Sequence, residues 1–408
     1  MSKLLAAYRL LGPLLRPAGL IYGLIMRFRR RIWYKCPAHS YRPACPTIAV
    51  GNISWGGTGI TPITAWLLHW AETQNLRAAV LSRGYKGKTS VLPLPVSPAT
   101  SPQESGDEPL MLARAFPKAK VLVDPRRSRA ALYAEKNFSP NLIIADDAFQ
   151  HLALARDFNI VLLTPADLTS EWNRVIPSGS WREDASALRD AQAVLLRLPA
   201  QAEGEELSKL MVLASRRLGE LPCFGFRCRP GALRRLGPCV DRETALEIGQ
   251  SSKIFPDPLG FANGYNLFCG VGFPEGVRKN AIAVFRRPPH KFTPFPDHHH
   301  YTREDLHPLL RDGLDLVCTE KDAVKLEAEM PDMLESHRVW ALGVEVEFLN
   351  GCSEKQALNF PEFWQQEWEK ITAAHNSTNS DSGSDGPLRN FEMNSGFAGS
   401  DKINEVLR

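Results

Sequence analysis

The segment that most constrains the fold runs from Thr47 to Trp70. The apolar, β-branched run Thr47-Ile48-Ala49-Val50 reads as a strand, and Ile63 to Trp70 reads as a helix. Between them lies a glycine-rich loop, Ser54-Trp55-Gly56-Gly57-Thr58-Gly59-Ile60-Thr61. Strand, glycine loop and helix in that order are the setting a phosphate-binding loop requires. Glycines let backbone N–H groups converge on an anion at a helix N-terminus, and the closing Thr61 hydroxyl suits Mg2+. The usual Gly-Lys-Thr, however, here reads Gly59-Ile60-Thr61. The missing ammonium would reach the β- and γ-phosphates, so the loop argues more strongly for holding a nucleotide than for turning it over.

Apolar runs recur at 47–53, 78–81, 121–123, 141–145, 159–163 and 193–196, with helix-like segments between several of them. That alternation predicts an α/β fold with a mostly parallel sheet, and with the glycine loop in it residues 36–230 read as a P-loop NTPase core. From Cys223 to Phe261 the pattern turns irregular and rich in Gly, Pro and Arg, and residues 231–263 read as a linker. Periodicity resumes at 266–271, 314–318 and 339–346, which predicts a smaller C-terminal α/β domain over 264–373. Residues 374–408 are poor in apolar side chains and are expected to be a disordered tail.

Charge is distributed unevenly, since no Asp or Glu precedes Glu72 while Lys3, Arg9, Arg16, Arg27, Arg29, Arg30, Arg31, Lys35 and Arg42 all do. The apolar stretch from Leu10 to Met26 is interrupted by Pro13, Arg16 and Pro17, whereas a spanning helix needs roughly 20 mostly apolar residues. Residues 1–35 therefore read as a membrane-surface segment, with Leu4, Leu11, Leu14, Leu15, Leu20, Ile21, Leu24 and Ile25 forming an apolar face. Arg27 to Arg31 are expected at anionic headgroups on the cytoplasmic side. A basic cluster flanking apolar residues fits lipid better than a nucleic-acid backbone. Eight cysteines without a C-x-x-C pair indicate neither a zinc cage nor a disulfide framework.

Several further strings carry chemistry. Asn141-Leu142-Ile143-Ile144-Ala145-Asp146-Asp147 is a buried-strand run ending in two carboxylates, placed to serve Mg2+ beside the loop. Ser105-Gly106-Asp107-Glu108-Pro109 precedes a helix-like segment, and its carboxylate could accept a proton from an attacking hydroxyl. Of the consecutive His298, His299 and His300, adjacent side chains seldom converge on one ion, which favours one histidine in acid–base or orienting work. The turns bearing Arg83, Arg126 and Arg182 could each hold an anionic group.

Together these strings resemble the tetraacyldisaccharide 4′-kinase family, the lipid A 4′-kinases. The resemblance rests, in order, on Val50-Gly51-Asn52 with Gly56-Gly57-Thr58-Gly59, Ser82-Arg83-Gly84-Tyr85, Gly106-Asp107-Glu108-Pro109 and Asp146-Asp147-Ala148-Phe149-Gln150-His151. It continues through Pro177-Ser178-Gly179 with Arg182-Glu183, Phe295-Pro296-Asp297-His298 and Thr319-Glu320-Lys321-Asp322-Ala323-Val324-Lys325. The resemblance implies transfer of the ATP γ-phosphate to the 4′-hydroxyl of a tetraacylated glucosamine disaccharide 1-phosphate, giving lipid IVA, at the cytoplasmic face of the inner membrane of a Gram-negative bacterium. It implies Asp107 as base aided by His298, residues 54–61 on ATP, Thr61, Asp146 and Asp147 on Mg2+, and Arg83, Arg126 and Arg182 facing the acceptor or the nucleotide. Ile60, Ala148 and Ser178 depart from the family pattern. Ile60 leaves two expectations: a kinase in which another cation, Lys86 or Lys88, compensates, or an impaired homologue that binds nucleotide or lipid without turnover.

Overall fold

The structure, a computed structural model, describes residues 12–36, 39–199, 204–237, 261–351 and 358–381. Twelve strands form one sheet: β1 (Thr47–Asn52), β2 (Ala78–Ser82), β3 (Leu94–Val96), β4 (Lys120–Val123), β5 (Leu142–Asp146), β6 (Phe158–Leu163), β7 (Ala193–Arg197), β8 (Cys223–Arg235), β9 (Tyr265–Cys269), β10 (Lys291–Pro294), β11 (Asp315–Thr319) and β12 (Val339–Gly351). Their spatial order is β10-β9-β11-β12-β8-β7-β6-β1-β5-β2-β4-β3. Helices named below are α1 (Arg16–Lys35), α2 (Ile60–Thr73), α3 (Asp107–Ala115), α4 (Arg127–Phe138), α5 (Gly204–Leu218), α6 (Pro274–Phe285), α7 (Glu320–Glu329) and α8 (Phe360–Asp381).

Within β1, β2, β5 and β6 every residue is buried, as parallel strands covered by helices on both faces must be. On one face Ala49, Leu81, Leu122 and Ile143 pack with Ala130, Ala131 and Ala134 of α4. β1 lies between β5 and β6, and its register pairs Val50 with Asp146, so the acid at the end of β5 arrives beside the start of the glycine loop. The strands from β2 to β8 by way of β1 run parallel, and β10, β9, β11 and β12 form a second parallel block. The two blocks join through the antiparallel pair β8–β12.

Three boundaries differ from the sequence expectation. Residues 231–235, read as the start of a linker, complete the 13-residue strand β8 instead; residues 238–260 lie outside the described residues. The expected tail begins inside α8, which continues to Asp381, and residues 382–408 lie outside the described residues. Residues up to Gln366 form one compact unit, and a second begins at Glu367 within α8.

Helix α1 turns Gly19 and Gly23 inward and its large apolar residues outward, with Leu20 72%, Leu24 60% and Phe28 65% exposed. Gly19 is required by close approach, because a Cβ there would lie 2.5 Å from Ser178 Oγ. The arginines read as headgroup contacts are mostly turned to the protein: Arg27 pairs with Asp184 at 2.7 Å, Arg29 with Glu183 at 3.6 Å, and Arg30 with Glu183 and Asp190. Glu183, Asp184 and Asp190 offer a partly buried acidic edge that captures them ahead of any lipid. Among the described residues no helix is long and apolar enough to cross a membrane.

Candidate active site

The loop after β1 leaves Gly59 at φ +99° as the residue preceding α2, a conformation that suits glycine. No side chain caps α2, and its first turn holds no acid, so the orphan N–H groups there remain available to an anion. Asn52 Nδ2 donates to Thr58 Oγ1 at 2.9 Å and Trp55 N to the carbonyl of Ser180 at 2.9 Å, which brace the loop from both sides. Ile60, the first residue of α2, is half-buried.

Asp107 opens α3, and its carboxylate Oδ2 lies 3.0 Å from His298 Nδ1 across 191 residues of sequence. His298, at φ +59°, is held by its own N–H to the carbonyl of Gly270 at 3.1 Å. Lys321 Nζ sits 3.1 Å from His298 Nε2; its ammonium donates there, which assigns the ring proton to Nδ1, facing Asp107. Lys321 also reaches Glu108 Oε1 at 3.2 Å, and Glu108 Oε2 accepts from Thr61 Oγ1 at 2.9 Å. An unbroken polar chain thus runs from the end of the glycine loop to the Asp107–His298 pair. Burial pushes Asp107 upward, but the His298 hydrogen bond and the Lys325 and Lys321 charges outweigh it, leaving the carboxyl below its ordinary value and ionised at neutral pH. Its Oδ1 makes no hydrogen bond among the described residues.

The string from Thr319 to Lys325 holds this pair in place. Asp322, fully buried, accepts from Tyr301 Oη at 2.8 Å, Thr319 Oγ1 at 2.7 Å and Gly270 N at 3.2 Å. Lys325, 1% exposed, donates to the carbonyl of His299 at 2.9 Å and lies 3.7 Å from Asp107 Oδ2. The three histidines diverge to three carboxylates, Asp107, Asp305 and Glu329.

Asp146 is buried at the end of β5 and accepts from Thr64 Oγ1 at 2.8 Å. Burial first, and then the charges of Glu108 and Asp147, push its carboxyl up to about 7, against the pull of Thr64 and Arg127. Surplus negative charge next to a phosphate loop is what a divalent cation would relieve. Among the described residues no three His, Cys, Asp or Glu side chains gather as a metal cage, and Mg2+ needs none, taking one or two carboxylates with phosphate and water. The donor set therefore fits it. A raised acid binds more protons folded than unfolded, so the protein without Mg2+ should lose stability as pH rises from about 4 to about 7. Asp146→Asn is expected to flatten that slope and raise the unfolding midpoint at pH 8 by about 2 °C or more, read by thermal melts across pH.

Other expected site residues are placed differently. Arg182 Nη1 donates to both oxygens of Asp147, at 3.0 and 3.2 Å, so each of these two residues occupies the other. Arg83 is exposed. Arg126 is exposed as well, while its neighbour Arg127 is buried, lowered to about 10 by burial, and donates to the carbonyl of Asp146 at 3.0 Å. Lys86 Nζ donates to the carbonyl of Asp297 at 3.2 Å. Glu108, Lys321, Lys325 and Arg127 are the site members that motif reading did not single out individually; the strings containing them were the available signal.

Comparison with known proteins identifies the chain's relatives. The chain is 40% identical over 363 residues to the tetraacyldisaccharide 4'-kinase of Nitratidesulfovibrio vulgaris, covering 88% of this chain and 95% of that protein. It is also 40% identical over 368 residues to that of Oleidesulfovibrio alaskensis, covering 88% and 96%. The crystal structure of LpxK from Aquifex aeolicus in complex with ATP is 27% identical with a TM-score of 0.65, covering 88% of this chain and 99% of that one. The sequence model of the family described as Tetraacyldisaccharide-1-P 4'-kinase matches residues 11–359, and the chain belongs to that family.

Proposed function

We propose that this member of the family acts at a membrane surface, uses Mg2+-ATP, and activates the 4′-hydroxyl of a tetraacylated disaccharide 1-phosphate through Asp107. The observation that carries the reading is the continuous chain Thr61, Glu108, Lys321, His298, Asp107, which sets a base beside the end of a phosphate loop. The acceptor hydroxyl gives its proton to Asp107, its oxygen bonds to the γ-phosphorus, and the bond from that phosphorus to the β–γ bridging oxygen breaks to release ADP. His298 fixes Asp107 and passes the effect of Lys321 to it. Asp146, with Thr61, would hold Mg2+, which offsets negative charge on the β- and γ-phosphates when bound. Arg83 and Arg126, exposed near the strand ends, are suited to the acceptor's 1-phosphate.

An acylated acceptor resides in a bilayer, and α1 with the turn before it supplies the matching surface: Leu14, Leu20, Ile21, Leu24, Ile25 and Phe28 are all exposed. Of its central arginine run, Arg31 makes no carboxylate pair among the described residues and suits an anionic headgroup of the inner membrane's cytoplasmic leaflet. Substituting Leu20, Ile21 and Leu24 together by Ser should abolish co-sedimentation with phosphatidylglycerol vesicles and raise the KM for the lipid acceptor, with kcat on detergent-dispersed acceptor unchanged. Undiminished vesicle binding by that variant would remove α1 as the membrane contact. Mass analysis of the acceptor after incubation with Mg2+-ATP should find one added phosphate on the distal sugar, and unmodified acceptor would refute the assignment.

A further inference from the structure

Ile60 leaves the glycine loop one cation short, and the lysines near it are engaged. Lys86 bonds the Asp297 carbonyl, Lys321 sits among Glu108, Asp297 and His298, and Lys325 is buried against Asp322. Lys88 follows the Ser82–Tyr85 string, with its backbone N–H on the carbonyl of Gln103, on the Asp107 side of the loop. Arg197 is different. It ends β7, separated from β1 only by β6, on the flank of the loop opposite β5 and β2. Its guanidinium Nη1 donates to the carbonyl of Gly57, and its Cδ would lie 3.6 Å from a Cβ at Gly59. Among the described residues no carboxylate pairs with it, whereas Arg27, Arg30, Arg182 and Arg234 each have one. A guanidinium offers five N–H donors in a fixed fork, and its contacts to the Gly57 carbonyl and the Cys228 thiol leave the others for an anion.

We propose that Arg197 binds the α- and β-phosphates of the nucleotide and supplies from β7 the positive charge that Ile60 withholds. This rests on the reading of residues 54–61 as the ATP site. The flank decides which phosphates are touched: the γ-phosphate must face the hydroxyl activated at Asp107 and His298, so the phosphates on the β7 side are those that leave as ADP. Arg197 therefore offsets the charge that gathers on the departing diphosphate as its bond to the γ-phosphorus breaks.

The test is calorimetry of ADP and ATP, each at two salt concentrations, with kcat on the lipid acceptor, for the full chain and for Arg197→Gln, Arg197→Lys and Arg197→Gln combined with Ile60→Lys. Arg197→Gln should weaken ADP and ATP by a similar factor of about tenfold or more, with a smaller salt dependence, and lower kcat by up to about a hundredfold. Arg197→Lys should retain most of the affinity, and Ile60→Lys should recover most of the lost kcat. The salt dependence separates charge from bracing: a residue that merely braced the loop at the Gly57 carbonyl would weaken both nucleotides with the wild-type salt dependence, and that result, or an unchanged ADP affinity, overturns the proposal alone. Weakened ATP with unchanged ADP also overturns it, by moving the contact to the γ-phosphate. Wild-type protein that takes up neither nucleotide overturns the ATP-site reading and this proposal with it.

Discussion

Asp107→Asn is expected to lower kcat for phosphate transfer by about 10²- to 10⁴-fold while changing ATP affinity by no more than about threefold. The side chain keeps its size and can still meet His298 Nδ1 through its amide oxygen, but it can no longer take up a proton at the pH where the hydroxyl must lose one. Among the described residues the side-chain hydrogen bonds linking the glycine loop to the Asp107 carboxylate pass through Glu108, Lys321 and His298, so nucleotide binding is insulated from the change. Loss of the carboxylate also leaves Lys325 with Asp322 as its one ion-pair partner among the described residues. A thermal melt beside the kinetic measurement separates that structural cost from the chemical one. A variant that folds, binds ATP and transfers phosphate at the wild-type rate would remove Asp107 as the base.

Ile60→Lys should raise kcat by about tenfold to a hundredfold and tighten ATP more than ADP. Position 60 opens α2 after the left-handed Gly59, and its half-buried side chain borders the loop, so an ammonium there reaches the β–γ bridge without disturbing the fold. The gain stays below the full value of a missing phosphate-loop lysine because Arg197 already stands on the other flank of the loop. Steady-state kinetics of the two proteins side by side decide the matter. A rate unchanged by the ammonium would mean that the β–γ bridge needs no further neutralisation in this protein.

The strands that bring Asp146 and the loop together were legible because parallel strands buried on both faces must be apolar throughout, as in β1, β5 and β6. Strand β8 was not, since Arg227, Arg229, Pro230, Gly231 and Arg234 break both an apolar run and a clean alternation. It persists because it pairs with β7 on one side and β12 on the other, and Pro230 falls at the register shift near Val344, where a missing N–H is tolerated. Asp107 and His298 meet across the join of two parallel blocks, a contact no local pattern encodes, and the ordered family strings were the route to it. Arg197 lies in none of those strings, and only strand order places it over Gly57. The arginines of α1 read as lipid contacts because their partners, Glu183, Asp184 and Asp190, are more than 150 residues away.

The most direct test of the account is ADP release from ATP in the presence and absence of the tetraacylated disaccharide 1-phosphate, with Mg2+ throughout. If the glycine loop presents ATP to a hydroxyl activated by Asp107, ADP forms in proportion to phosphorylated lipid and falls to background without the acceptor. ADP release that proceeds equally without lipid would make the chain a nucleotide hydrolase and contradict the account.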